Sequence, residues 1–187
     1  MELLQGIFSA FGLSASAGLN AYIPLFIIAV ISHYTDWFKL NPPYDALGNP
    51  WIMILLGVLI IIEFLADKIP AVNHLNDLIQ TFIRPLAGAI VFAASARALT
   101  GLNPVLSLAS GLLVAGGVHV VKAGVIRPAV TVTTGGVGNI PVSLTEDLIS
   151  ATTSILALLL PALLAIFVII LTLLLLRWRW RRSNSNA

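Results

Sequence analysis

The chain has 187 residues, 58% of them hydrophobic and 10% charged, with a mean hydropathy of +0.99. Soluble domains carry about 25% charged residues, and a chain this small cannot hide so much apolar surface behind a polar shell. A soluble globular protein, a disordered chain and a nucleic-acid binder with a broad basic face are therefore excluded. What remains is an all-α, polytopic transmembrane helical bundle.

There are no cysteines, so disulfides, thiolate metal sites and cysteine nucleophiles are excluded. Four of the ten basic residues sit in one tail, Arg177-Trp178-Arg179-Trp180-Arg181-Arg182. Without them the body holds six basic residues against eight acidic ones. The division expected is a transmembrane domain over 1–176 and a basic Arg/Trp-rich tail over 177–187. Met1-Glu2-Leu3-Leu4 carries no basic residue ahead of its apolar stretch, so the first segment reads as a permanent helix and not a signal peptide.

A crossing needs roughly 20 apolar residues. The first candidate is Leu3 to Ile31, with Pro24 predicting a bend. Ser32 to Pro50 is polar, with Trp37, Pro42, Pro43 and Tyr44 suited to an interface. The second span is Trp51 to Ala66. Asp67 to Pro85 is too polar to cross, but Leu75, Leu78, Ile79 and Phe82 form a helical stripe, which predicts an interfacial helix. The third span, Leu86 to Leu99, is short, and the fourth is Pro104 to Val121. Lys122 to Asp147 is rich in Gly, Thr and Val, which predicts an irregular re-entrant segment, since such backbone is tolerated only inside protein or along a wet cavity. The fifth span is Asp147 to Leu176. The Arg-Trp tail places the C-terminus in the cytoplasm, and five spans then place the N-terminus outside. Lys39 and Arg97 fall inside. Lys68, Arg84, Lys122 and Arg127 oppose the charge rule, which points to a site and not to topology.

Gly6, Ala10, Ser14 and Gly18 recur every fourth residue, as do Ser107, Gly111, Ala115, His119 and Ala123. Such strips let helix backbones approach closely, or line a cavity ending at Asn20 and His119. Three short strings recur. Gly18-Leu19-Asn20 returns as Gly101-Leu102-Asn103, and Ile83-Arg84-Pro85 as Ile126-Arg127-Pro128. Ile69-Pro70 with Asp77-Leu78-Ile79 returns as Ile140-Pro141 with Asp147-Leu148-Ile149. The offsets differ, so this is no clean duplication, although transporters often contain related halves.

Ionisable residues at membrane depth cost about 2.5–3.5 kcal/mol each on insertion scales and mark function. One cluster is Glu63, Asp67, Lys68, Asn73, His74, Asn76, Asp77 and Arg84. Glu63 and Asp67 share a helical face, and such like charges need a base, a proton or a metal between them. The second cluster is His119, Lys122, Arg127, Glu146 and Asp147. Ser143-Leu144-Thr145-Glu146 has the capping-box pattern, which predicts Ser143 as an N-cap with Glu146 and Asp147 facing the helix dipole. His119 suits proton coupling. No Walker A, His-Glu-x-x-His or Gly-x-Ser-x-Gly sequence is present. Gly135-Gly136-Val137-Gly138 lacks the Lys-Ser/Thr of a phosphate loop.

Gly12-Leu13-Ser14-Ala15-Ser16-Ala17-Gly18-Leu19-Asn20-Ala21-Tyr22-Ile23-Pro24-Leu25 resembles the opening of a bacterial integral membrane family known only as domain of unknown function 4126. Glu63-x-x-x-Asp67-Lys68-Ile69-Pro70, Asn76-Asp77, Arg84-Pro85, His119-x-x-Lys122-Ala123 and Glu146-Asp147 extend the resemblance over about Gly12 to Ser150. It carries no activity. It does imply that these polar positions are characteristic of the family.

The functional expectation is a small inner-membrane transporter or channel for an anionic solute or phospholipid headgroup. Its binding residues would come from Asn20, Glu63, Asp67, Lys68, Asp77, Arg84, His119, Lys122, Arg127, Glu146 and Asp147, with no cofactor and no resident metal. Lys68, Arg84, Lys122 and Arg127 would take the anion, and Glu63, Asp67 and His119 a proton or cation. A structural subunit packing through its small-residue strips, with homo-oligomers among its expected assemblies, is one rival. A headgroup enzyme with Mg²⁺ on Glu63, Asp67 and Asp77 is another.

Overall fold

The computed structural model describes the backbone of residues 2–36, 38–67, 70–99, 103–159 and 177, and the side chains of 6–36, 38–67, 75–96, 103–159 and 177. The helices are α1 (Glu2–Leu19), α2 (Tyr22–Tyr34), α3 (Pro50–Ala66), α4 (Pro70–Leu99), α5 (Pro104–Val121), α6 (Arg127–Thr134) and α7 (Asn139–Leu159). A 3₁₀ turn covers Tyr44–Gly48, and a turn of π-helix, Lys122–Ile126, joins α5 to α6. Three stretches are long and apolar enough to cross a membrane: Leu75–Ala96, Pro104–Thr134 and Asn139–Leu159. The protein is therefore all-helical over the described residues and membrane-like in character.

The expected first span is two helices. The ring of Pro24 has no N–H to give and would clash with the carbonyl four residues back, that of Asn20. The helix stops there. Asn20 Oδ1 then accepts from the backbone N–H groups of Tyr22 and Ile23, at 3.0 and 3.1 Å, and starts α2. Pro24 falls in the first turn of α2, where it is tolerated.

Side-chain contacts fix the helix directions. Ser14 meets Gly88, and the Phe11 and Phe92 rings pack edge to face, so α1 is antiparallel to α4. Glu63 meets Arg84 and Asp67 meets Asn76, so α3 is antiparallel to α4. Phe26 lies beside Gly57 and His33 meets the Gly48 carbonyl, so α2 is antiparallel to α3. It follows that α1 and α2 run in opposite directions, as a hairpin turning at Asn20 and Ala21. The single bent crossing from Leu3 to Ile31 is corrected on this ground.

Two further expectations change. The interfacial helix and the short third span are one helix, α4, of 30 residues and roughly 45 Å. Pro85 lies inside it, and its ring packs beside Gly116 of α5. The Gly-rich 122–147 segment is not irregular. The π turn carries the helix past Pro128, because the position four residues before that proline, Gly124, lies within the widened turn. Gly135 and Gly136 then take positive φ (63° and 91°), a conformation that ends α6 at little cost. Ser143 lies inside α7 and is not its N-cap.

The small-residue strips are packing surfaces. Ser14 Oγ reaches the carbonyls of Gly88 (3.2 Å) and Gly111 (2.8 Å), where α1, α4 and α5 meet. A Cβ on Gly88 would stand 2.2 Å from that of Ala115, and one on Gly111 would stand 2.3 Å from the Gly88 oxygen. The polar groups point inward: Ser9, Ser14, Ser16, Ser150 and Ser154 are buried. The outward face of α3, with Trp51, Ile54, Leu55, Val58, Ile61 and Leu65, is apolar and exposed. This inversion of a soluble protein suits a hydrocarbon surround.

Candidate functional site

The helix directions bring several ends to one level. The C-termini of α1, α3 and α5, the N-terminus of α2 and the first turns of α7 all meet beside the N-terminal half of α4. Orphan carbonyls and N–H groups concentrate there, and so do the charges.

Arg84 of α4 is fully buried. Its Nη2 donates to Glu63 Oε1 at 2.8 Å and its Nη1 to His119 Nδ1 at 3.2 Å. A guanidinium has no acceptor, so Nδ1 of His119 carries the lone pair and Nε2 the hydrogen. Nε2 donates to Thr81 Oγ1 (3.1 Å), which donates to the Asp77 carbonyl (2.8 Å). His119 is thus a neutral imidazole that orients Arg84. Its expected role as a proton carrier is not supported by this geometry.

Arg127, at the start of α6, joins three carboxylates. Nη2 donates to Asp67 Oδ2 (2.9 Å) and Glu146 Oε2 (3.2 Å), and Nη1 donates to Asp77 Oδ2 (3.0 Å). Asp67 also accepts from Asn76 Nδ2 at 3.0 Å and from the Ser143 hydroxyl. Asp67 sits one residue beyond α3. Burial opposes its charge, but the Arg127 guanidinium and the Ser143 hydroxyl outweigh that and hold its carboxyl below the ordinary aspartate value.

Lys122, in the π turn, donates to Glu146 Oε2 (2.8 Å) and to the Leu19 carbonyl (2.8 Å) at the end of α1. Glu146 Oε2 therefore bridges two cations. Its other oxygen is buried with no hydrogen-bond partner among the described residues, as is Glu63 Oε2. Asp147 Oδ1 accepts from Asn20 Nδ2 at 2.9 Å, which ties α7 to the α1–α2 turn.

Glu63, Asp67, Asp77, Arg84, His119, Lys122, Arg127 and Glu146 thus form one connected, largely buried set, with Thr81 as the link between His119 and Asp77, and the Asn20–Asp147 pair lies against it, within the electrostatic reach of Lys122, Asp67 and Glu146. The two clusters seen in the sequence are one cluster. Lys68 lies outside the described residues. The base that serves Asp67 is Arg127 from the far cluster, and Arg84 serves Glu63. Glu146 and Asp147 do not complement a helix dipole as expected; they belong to the network. Gly135 to Gly138 form the α6–α7 turn, away from it. No three His, Asp or Glu residues among those described are grouped to hold a metal ion. The Mg²⁺ set Glu63, Asp67 and Asp77 is not assembled, because these carboxylates face Arg84 and Arg127.

Thr81 and the buried Gln80 were missed, and Ser143 was read as a cap and not as a partner of Asp67. Thr81 follows Asp77 by four residues, and Gln80 precedes Arg84 by four. Ser143 precedes Glu146 by three. Each shares a helical face with a named charge, a signal usable once α4 and α7 are read as continuous helices.

Among known proteins, a family model described as domain of unknown function (DUF4126) matches residues 7–181. No curated protein and no solved structure matches the chain.

Proposed function

The chain belongs to this family of unknown function, and from that premise we propose that it is a small membrane transporter for a phosphate-type oxyanion, taken free or as a lipid headgroup. The observation that carries this reading is the bridging of Lys122 and Arg127 by one oxygen of Glu146. A carboxylate held between an ammonium and a guanidinium occupies the place a solute oxyanion would take. Arg offers phosphate a planar fork and Lys a point charge. Glu146 is then an internal competitor that the solute displaces. The π turn that positions Lys122 adds support, since π-bulges gather at functional sites.

The six helical runs alternate in direction, counting α5, the π turn and α6 as one. In our reading the positive tail lies in the cytoplasm, at the plasma (inner) membrane. The direction of α7 then puts the N-terminus and the 35–49 loop on the same side and the charged site toward the outer face. This reading has both termini on one side, where five spans would place them on opposite sides.

The test is uptake of labelled inorganic phosphate by proteoliposomes. Glu146→Gln removes the competing charge and is expected to tighten the apparent affinity by about tenfold, equivalent to roughly 1.4 kcal/mol. Lys122→Gln is expected to abolish saturable uptake. Vesicles that take up no phosphate but scramble a labelled phospholipid would assign the site to headgroups. Vesicles that do neither would reduce the network to a structural clasp.

A further inference from the structure

The proposed exchange adds negative charge to a network that already has an excess of it. Five carboxylates belong to it: Glu63, Asp67, Asp77, Glu146 and Asp147. Three cations face them: Arg84, Lys122 and Arg127. His119 is neutral, because it accepts from Arg84. Even with Lys68 added, the acids outnumber the bases by one. Uncompensated charge in a buried site is costly, so an entering anion requires an accompanying positive charge.

Resting on the transport reading above, we infer that the oxyanion enters together with a proton, and that Asp147 carries it. Asp147 is the one carboxylate of the five that forms no salt bridge among the described residues; it accepts from the Asn20 amide. A protonated carboxyl keeps that bond, since its carbonyl oxygen still accepts. The groups facing Asp147 are Asn20 at the α1–α2 turn, Lys122 in the π turn, Asp67 at the end of α3 and Glu146 on its own helix. Asp67 is held by Arg127, and Glu146 by Lys122 and Arg127. When the solute takes Lys122 and Arg127 from Glu146, that carboxylate loses both its cations, and Asp147, the next residue of α7, feels its uncompensated charge. A proton on Asp147 relieves that repulsion. Asp147 is also partly exposed, whereas Glu146 is buried, so a proton from water reaches Asp147 first. The proton binds from solvent on one side and is returned on the other, and no bond to the solute forms. Asn20 both holds Asp147 and caps α2, so the event is transmitted to the turn of the α1–α2 hairpin.

The experiment is uptake of labelled inorganic phosphate by proteoliposomes of phosphatidylethanolamine and phosphatidylglycerol, with and without an inward proton gradient. One coupled proton multiplies accumulation by about ten per pH unit. Wild type is expected to show that stimulation. Asp147→Asn is expected to reduce the ratio of uptake with and without the gradient to about that of protein-free vesicles, and Asp147→Glu to restore it, a rescue that a purely structural role does not predict. An Asp147→Asn protein that keeps the wild-type ratio overturns the proposal, as does stimulation by a sodium gradient in place of a proton gradient. Should Asp147→Asn fail to fold, wild type alone decides. At mildly acid pH, where phosphate is a monoanion, its uptake must acidify a trapped pH indicator, and uptake with no acidification overturns the proposal. Absence of any phosphate uptake by wild type is a distinct result, which removes the transport reading and this inference together.

Discussion

Arg84 shows how little choice the buried charges have. Its guanidinium is closed between Glu63 and His119, and neither partner is reached by solvent to any extent. Removing one member of a buried pair leaves the other uncompensated, at a cost of about 3–5 kcal/mol. Arg84→Met is therefore expected to lower the melting temperature strongly in detergent, and Glu63→Gln added to it to recover part of the loss. Full additivity of the two in a double-mutant cycle would show that the pair is not coupled. The same contact fixes the tautomer of His119. Nitrogen NMR of labelled His119 at neutral pH should show hydrogen on Nε2 and a bare Nδ1, and the reverse assignment would contradict the Arg84 contact. From the sequence, His119 was a proton carrier, because a lone imidazole in an apolar span invites that reading. Only the position of Arg84, 35 residues away, makes it an acceptor.

At the scale of elements, prolines and asparagines decide where helices stop. Asn20 and Asn103 end the recurrent Gly-Leu-Asn strings, and each accepts from two backbone N–H groups of the next helix. Arg84 and Arg127, from the recurrent Ile-Arg-Pro strings, are the two guanidinium centres of the network. The strings therefore do similar local work, whatever their offsets. The small-residue strips were legible, and their partners were not. Gly88→Leu and Gly111→Leu are each expected to abolish a monodisperse folded species in size-exclusion chromatography, because even a Cβ meets backbone or side chain within 2.3 Å. Gly117→Ala, where nothing lies within 4 Å of the added methyl, is expected to be neutral or stabilising by up to about 1 kcal/mol. A folded Gly111→Leu protein would show that the α4–α5 contact is looser than described.

For the whole molecule, the helix directions predict two ends. The 35–49 loop lies at one and the 135–138 turn at the other. The chain has no cysteine, so single-cysteine labelling is clean. Asp45→Cys and Val137→Cys, both at exposed positions, should react with an impermeant maleimide from opposite sides of the membrane, with Val137→Cys labelled from outside. Labelling of both from one side would refute the alternating path.

The sequence alone determined that this is an apolar, helical, membrane-like protein, because composition sets which solvent the outer surface can face. It also picked out most of the charged residues that meet in the buried network, because charge in an apolar chain is conspicuous wherever it falls. It could not determine which charges meet. Asp67 and Arg127 are 60 positions apart and hydrogen-bonded, and Asn20 and Asp147 are 127 apart and hydrogen-bonded. Such pairings follow from helix direction, and direction turned on the reversal at Asn20, the continuity of α4 through Pro85 and the π turn before Pro128. Proline marks a possible break in the sequence, but the outcome differs at each one: the helix stops before Pro24, continues through Pro85 and widens before Pro128. Which charges meet was decided only in the tertiary structure, because each of these outcomes sets the direction of the helices that follow and so the level at which distant charges are brought together.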